Sequence, residues 1–398
     1  MVGFVACRAF TYLLQPTARQ ALALNALLEV QRELYNAALE ERRGAWRWER
    51  RRVTKYEQYR TLTGLRAVRP DVLAFGVNVC RGTLTRLDEA FKGFYRRCGR
   101  GETPGFPRFR AECRWDSMHW PDISGWRFEE ATRRLYLQGV GHIKVRVHRS
   151  VRGIPKTCTV RREGRRWRVT IFSGEVATAR LPATGRQVGV DRGVTSVVAT
   201  SDGLLVENPR FFTRSAGRLT TTQQRLAAKS GRGNRRRAAE AVARAHRKVR
   251  NQRTDFLHKL SRQLVDGYDK IVIEDLRVAS MTRRPRPRPG GKGGHDPNGA
   301  AAKAALNRSI LDAGWGRLDR MLAYKAEEAG RELIRVDPRH TSQRCARCGT
   351  IDRDSRVGAV FRCVACAHTD HADVNAARNI LRAGLAQREQ SHEVETAA

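Results

Sequence analysis

Four cysteines and three acids stand out as the residues whose types and spacing could do chemistry. Cys345, Cys348, Cys363 and Cys366 are spaced C-x2-C-x14-C-x2-C. Two such knuckles offer four thiolates that close a tetrahedron around Zn²⁺ and leave no position for water, so the site they predict is structural. A redox pair would need only one C-x2-C. His368 and His371 lie close by, but four thiolates already complete the shell, and the two read as surface or backbone-bonding residues.

The acids are Asp191 in GVDRGV, Glu274 at the end of IVIE, and Asp373 in ADVNAARNI. An unpaired carboxylate within an apolar strand costs roughly several kcal/mol. Each acid has an ordinary reading alone: a strand-end acid paired with arginine, or a helix N-cap for Asp373. Taken together, one acid in a first strand, one at the end of a later strand and one on a C-terminal helix form the constellation of an RNase H-like fold. Such clustered charges stay ionised by holding divalent cations. Two Mg²⁺ ions bridging them would activate water and steady the leaving oxygen of a phosphodiester. Asp275 is expected on the opposite face of its strand, and Asp202 in a turn.

The elements that must position these residues are legible in the hydrophobic pattern. Residues 2 to 14 read as a strand, and Thr17 and Gln20 are spaced as a capping box for the helix that follows. Leu24, Leu27, Leu28, Leu34, Tyr35 and Ala38 recur at helical spacing, as do Val77, Cys80, Leu84, Leu87, Phe91 and Phe94. From Trp115 to Phe172 the period becomes two, with Ile143, Val145 and Val147 alternating with Lys144, Arg146 and His148. This predicts a small antiparallel β domain, a barrel that the first strand joins, with the helices inserted into it. Beyond Gln187 come a pair of strands, basic helices over 216–266, the buried strand YDKIVIEDL, a Pro/Gly-rich loop, a helix closed by Gly330, and the strand RELIRVDP.

Lysine and arginine number 77 against 40 aspartates and glutamates, a formal charge of +37. A charge of that size points to a polyanionic partner, most often nucleic acid. GRGNRRRAAEAVARAHRKVRNQR concentrates it, and GAWRWERRR interleaves it with tryptophan, where the rings could equally be packing residues. No stretch is apolar enough to span a bilayer, and the N-terminus lacks a signal-peptide pattern. The expectation is an intracellular chain with no membrane partner. Cys7, Cys80, Cys98, Cys113 and Cys158 are then expected to be reduced packing residues.

GVDRGVTSVVATSDG, IVIEDL, TSQRCARCG, FRCVAC and ADVNAARNIL, in that order, closely resemble the RuvC-type nuclease of transposon-encoded TnpB (OrfB) proteins. PTARQ, ELYNAALEER, LTRLDEAFKGFYRR and GFPRFR resemble the N-terminal half of the same family, which is related to the miniature type V CRISPR effectors. The resemblance implies a multidomain α+β chain. It assigns a β-barrel wedge domain to 1–15 and 111–182, a helical recognition domain to 16–110, and a RuvC-like nuclease to 183–340 and 371–385. A zinc-ribbon insertion would take 341–370 and a flexible tail 386–398. It implies an RNA-guided DNA endonuclease with Asp191, Glu274 and Asp373 as the catalytic, Mg²⁺-binding acids and the four cysteines on Zn²⁺. The partners implied are a guide RNA from the transposon end and double-stranded target DNA beside a short flanking motif, in a prokaryotic cytoplasm and on the nucleoid while acting. A miniature CRISPR effector and a nuclease-inactive, RNA-guided repressor share the fold, but such a repressor should have lost an acid, and all three are kept. A transposase also needs an acid triad, though not the guide-binding modules. One departure is plain: the family often reads DRDxNAA where this chain has HADVNAA.

Overall fold

The computed structural model describes residues 5–178, 180–290 and 294–397, and the chain forms two compact units that divide at Thr178. The first opens with β1 (Val5–Gln15) and four helices, α1 (Ala18–Glu49), α2 (Lys55–Val68), the short α3 (Pro70–Leu73) and α4 (Val77–Cys98). Six strands follow: β2 (Ser117–Trp120), β3 (Trp126–Glu129), β4 (Arg134–Leu137), β5 (Gly141–Arg146), β6 (Ile154–Glu163) and β7 (Arg166–Ala177). The capping box at Thr17 and Gln20 is present, each satisfying the other's backbone N–H. All seven strands join one antiparallel sheet in the order β2-β6-β7-β1-β5-β4-β3, so the strand first in sequence lies at its centre. Phe10, Tyr12 and Leu14 of β1 turn inward at period two and share one core with Leu24, Leu27, Leu84 and Leu87 of the helices.

Two expectations need correction here. Among the described residues β2 and β3 are not paired, so hydrogen bonds leave the sheet open rather than closing a barrel; both end strands are only four residues long. Of the five scattered cysteines only Cys80 and Cys158 are buried, while Cys7, Cys98 and Cys113 are exposed.

The second unit is built on a five-stranded sheet. β8 (Gln187–Asp191), β9 (Ser196–Thr200) and β10 (Leu205–Glu207) form an antiparallel meander. Helices α5 (Phe211–Ala227) and α6 (Arg232–Gly267) lead to β11 (Lys270–Glu274), which pairs parallel with β8. The short α7 (Val278–Met281) precedes a small ladder of β12 (Arg288–Pro289) and β13 (His295–Asp296) within the Pro/Gly-rich segment. Then come α8 (Ala300–Ala313), α9 (Trp315–Ala329) and β14 (Glu332–Val336), the last parallel to β11. The strand order is β10-β9-β8-β11-β14. Ile271 and Ile273 pack toward α6 and α9, whereas Val272 faces the other way among Val336 and Ile380. A strand covered on both faces reads as a continuous apolar run, which is why KIVIE shows no alternation.

A three-stranded ribbon of β15 (Arg356–Val357), β16 (Val360–Arg362) and β17 (Thr369–His371) precedes α10 (Ala372–Ala397). The helix runs through most of the segment expected to be a flexible tail. AQREQSHEVETAA has no glycine or proline to stop it, and Arg388 Nε pairs with Glu332 Oε1 of β14 at 2.8 Å.

The contact that seats α10 is a backbone approach. A Cβ on Gly189 of β8 would lie 2.0 Å from Ala377 O and 2.7 Å from Leu381 N. A Cβ on Gly384 would lie 2.4 Å from Val272 Cγ1. Gly189→Ala is therefore expected to destabilise the protein by about 2 kcal/mol or more, since backbone cannot yield cheaply. Gly217→Ala in α5, where a Cβ meets nothing within 4 Å, should instead stabilise by about 0.5–1 kcal/mol. Urea unfolding of both variants checks the pair; equal effects would contradict the packing.

Candidate functional site

The four thiolates meet. Cys345 Sγ is 3.7 Å from Cys366 Sγ, Cys348 Sγ is 3.5 Å from Cys363 Sγ, and all four lie within 4.8 Å of one another. Thiolates about 2.3 Å from a tetrahedral zinc stand about 3.8 Å apart, so the cage fits that ion. Each knuckle closes with a left-handed residue: Gly349 at φ 83° after Cys348, and Ala367 at φ 55° after Cys366. The hydrogen bond between Cys348 Sγ and Thr350 Oγ1 at 3.4 Å and the Thr350 backbone N–H pull the Cys348 thiol down to about 6, toward the thiolate a metal requires. Neither histidine joins the cage. The His368 carbonyl accepts from Cys363 N at 2.9 Å, and His371 Nδ1 accepts the backbone N–H of Asp373 at 3.3 Å.

That last contact bears on the reading of Asp373 as a helix cap. His371 does the capping, so the Asp373 carboxylate is not spent on its own helix. It turns to the end of β8 instead. Asp191 ends β8, Glu274 ends the adjacent parallel β11, and Asp373 sits in the first turn of α10, which packs on both strands. Burial first, then the charges of Glu274 and Asp373, push the Asp191 carboxyl up to about 7. Burial also raises Glu274, against a hydrogen bond from Thr341 and the positive charge of Arg192. The three acids are electrostatically coupled, though less tightly gathered than the thiolates. Among the described residues only the four cysteines place three or more such ligand atoms within 4.8 Å.

Their surroundings include residues that the sequence did not single out. Thr341 Oγ1 donates to Glu274 Oε1 at 2.7 Å. The buried Arg192 guanidinium donates to the Glu274 carbonyl. Arg356, on the first ribbon strand, pairs with Asp373 Oδ1 at 2.8 Å. Among the described residues neither Asp191 nor Glu274 has a cation within 4.0 Å, so the ordinary arginine-paired reading applies to Asp373 alone. Two helix amides bind the ribbon to α10. The fully buried Asn375 accepts from Ala346 N at 2.8 Å and donates to Arg344 O at 2.8 Å, while Asn379 donates to Thr341 O at 3.0 Å. The backbone on either side of Cys345 is thereby fixed to the helix that carries Asp373. The only sequence signal for this was a pair of amides four residues apart on one helix.

Residues 153–284 match the OrfB family of IS605, described as "Probable transposase", residues 315–380 a Cas12f1-like TNB domain, and residues 6–51 a helix-turn-helix domain. A Streptomyces pristinaespiralis protein named "Putative RNA-guided DNA endonuclease" is 34% identical over 95% of this chain and 90% of its own. The chain belongs to the TnpB (OrfB) family. "Putative RNA-guided DNA endonuclease InsQ" of Escherichia coli K12 is 33% identical over 76% of this chain and 73% of its own. A solved structure of the mini-RNA-guided endonuclease CRISPR-Cas_phi3 aligns with 96% of this chain and 92% of that one, at 10% identity and a TM-score of 0.46. In this TnpB-family chain, residues 6–51 do not form a helix-turn-helix: they are the central strand β1 and one continuous 32-residue helix. No helix of the described residues is long and apolar enough to cross a membrane.

The carboxyl shift gives a signed prediction. Asp191 titrates near 7 in the folded chain, against 3.8 for an ordinary aspartate. Between those values the folded chain holds a proton that the unfolded chain has lost. Stability without added Mg²⁺ therefore falls as pH rises from about 4 to about 7 and then levels. Asp191→Asn removes the charging cost and should stabilise the protein at pH 8 by on the order of 2 kcal/mol, with little gain at pH 4. Urea unfolding at the two pH values checks this, and a pH-independent offset would contradict it.

Proposed function

We propose that this chain is an RNA-guided DNA endonuclease that hydrolyses target phosphodiesters with divalent cations. The observation that carries the reading is the convergence of Asp191, Glu274 and Asp373 from β8, β11 and α10. An acid on the first strand of a mixed sheet, a second on its parallel neighbour and a third on the helix packed over both is the RNase H-like, RuvC-type constellation. The names borne by its relatives support the same activity.

The donor set is all carboxylate oxygen, which suits Mg²⁺ or Mn²⁺. Asp191, Glu274 and Asp373 would hold two such ions. When bound, they supply the activation of water and the stabilisation of the leaving oxygen. The chain's own contribution is placement. Thr341 fixes one oxygen of Glu274, Arg192 ties down the backbone behind it, and Arg356 takes one oxygen of Asp373. Zinc in the four-cysteine cage would stiffen the ribbon that supplies Arg356 and follows directly on Thr341.

The basic helix α6 supports a polyanionic partner. Between Arg232 and Arg253 it carries nine arginines and lysines against one glutamate, and no described residue from 233 to 248 is fully buried. Phosphates of a guide RNA and of the RNA–DNA duplex are the ligand this face fits. Base pairing would read the target, while the protein reads backbone shape and a short flanking motif. Residues 183–340 and 371–385 would be the nuclease and 341–370 its ribbon. The sheet and helical module of residues 1–182 would grip the guide and the motif.

The test is to purify the protein from prokaryotic cells carrying its native flanking DNA, sequence the RNA that accompanies it, and challenge the complex with a matching plasmid library and Mg²⁺. A discrete RNA with guide-dependent cutting, reduced at least a thousandfold in Asp191→Ala, is the expected result. Target binding without cutting would favour a nuclease-inactive binder, and the absence of any specific RNA would overturn the guided mechanism.

A further inference from the structure

The tryptophans of GAWRWERRR do not pack inside. Trp46 is 57% exposed and Trp48 77%. They line a cavity of about 690 Å³ formed by the C-terminal turns of α1, the start of α2 and the face of α4. Tyr56, Tyr95 and Phe106 open onto the same cavity and are also exposed. Aromatic surface of this extent, left in water around one concavity, marks a binding site rather than a stability feature.

The charges around it are as one-sided as the rings are numerous. Seven cationic side chains line the cavity against two carboxylates, Glu40 and Asp88. Both acids are already engaged, Glu40 with Arg43 at 3.7 Å and Asp88 with Arg42 at 3.4 Å and Lys92 at 3.5 Å. Arg47, Arg52 and Lys55 stand over the rings of Trp48, Tyr95 and Tyr56, at 4.9, 5.5 and 5.0 Å from the centroids. Among the described residues none of these three cations has a carboxylate within 4.0 Å. Cations resting on rings can exchange the ring face for a phosphate when a flat group takes their place.

A ligand matched to this site is planar, stacks on aromatic faces and carries anions on both sides. An apolar peptide would leave the cations unpaired, and a phosphate alone would leave the rings unused. We propose that this cavity binds an unpaired nucleobase of single-stranded RNA, with its flanking phosphates on Arg47, Arg52 and Lys55. RNA is favoured over DNA because its loops and ends splay bases out for stacking, whereas duplex DNA keeps them stacked within the helix. The assignment rests on the reading above that this chain carries RNA, and it adds a base-stacking pocket to the phosphate-binding face of α6.

Tryptophan fluorescence reads the site directly. The other five tryptophans, Trp115, Trp120, Trp126, Trp167 and Trp315, are all at most 6% exposed, so quenching by a stacked base reports on Trp46 and Trp48. Full-length Asp191→Ala protein, freed of RNA, is titrated with a short single-stranded RNA, the same strand made abasic, and the DNA strand of the same sequence. Because cleavage plays no part, failure here is distinct from failure of the guided-nuclease reading, which the copurified RNA decides. The expected result is quenching by the RNA, with affinity roughly tenfold to a hundredfold above that of the abasic strand, and the same loss in Trp46→Ala/Trp48→Ala, whose binding is read by the anisotropy of a dye-labelled strand because the reporting rings are gone. Both residues are solvent-exposed, so that variant should keep the fold, which far-ultraviolet circular dichroism verifies. Equal affinity for the abasic strand, or an unchanged affinity in the variant, would overturn the pocket. Tighter binding of the DNA strand would overturn its assignment to RNA.

Discussion

The site depends on one close approach of backbone to backbone. Helix α10 lies against β8 where Gly189 has no side chain, and any Cβ there would run into Ala377 O. That contact carries the first turn of the helix to the ends of β8 and β11. Asp373 then adds its charge to those already raising the Asp191 carboxyl. Packing energy along α10, through Ala377, Ile380 and Gly384, thus opposes the repulsion between acids that the same packing creates. Like charges held together in this way would be relieved of their repulsion by a divalent cation.

The ribbon extends that arrangement from the other side. Asn375 and Asn379 satisfy backbone groups around Cys345, so the first knuckle and the helix carrying Asp373 move as one body. Thr341, just before the knuckle, reaches Glu274, and Arg356 of the ribbon reaches Asp373. Two of the three acids are therefore positioned by residues that the zinc cage would hold in place.

Local chemistry made much of this readable beforehand. The cysteine spacing, the capping box at Thr17 and the buried strand at Ile271–Ile273 are short-range patterns with short-range causes. What stayed hidden was set by distant partners. Nothing local tells that Thr341 bonds to Glu274 67 residues earlier, or that Arg192 ties down the carbonyl behind that acid. The barrel expected of the first sheet was read from its period-two alternation and from the family resemblance, but closure depends on whether two four-residue end strands meet, and among the described residues they do not pair. The tail expected to be flexible is polar, yet polarity does not stop a helix whose residues favour it. The scattered cysteines were expected to be reduced packing residues, yet Cys98 at the end of α4, Cys113 in the turn beyond it and Cys7 near the start of β1 are exposed.

The most direct test of the central claim, that α10 docking assembles a cation site from three acids, is electron paramagnetic resonance of the zinc-loaded protein titrated with Mn²⁺. Two ions held between shared carboxylates should give a saturable, spin-coupled signal that Asp373→Asn converts to weak, uncoupled binding while the zinc content stays constant. Uncoupled binding in the unsubstituted protein, or a coupled signal unaffected by Asp373→Asn, would show that the acids do not form one site.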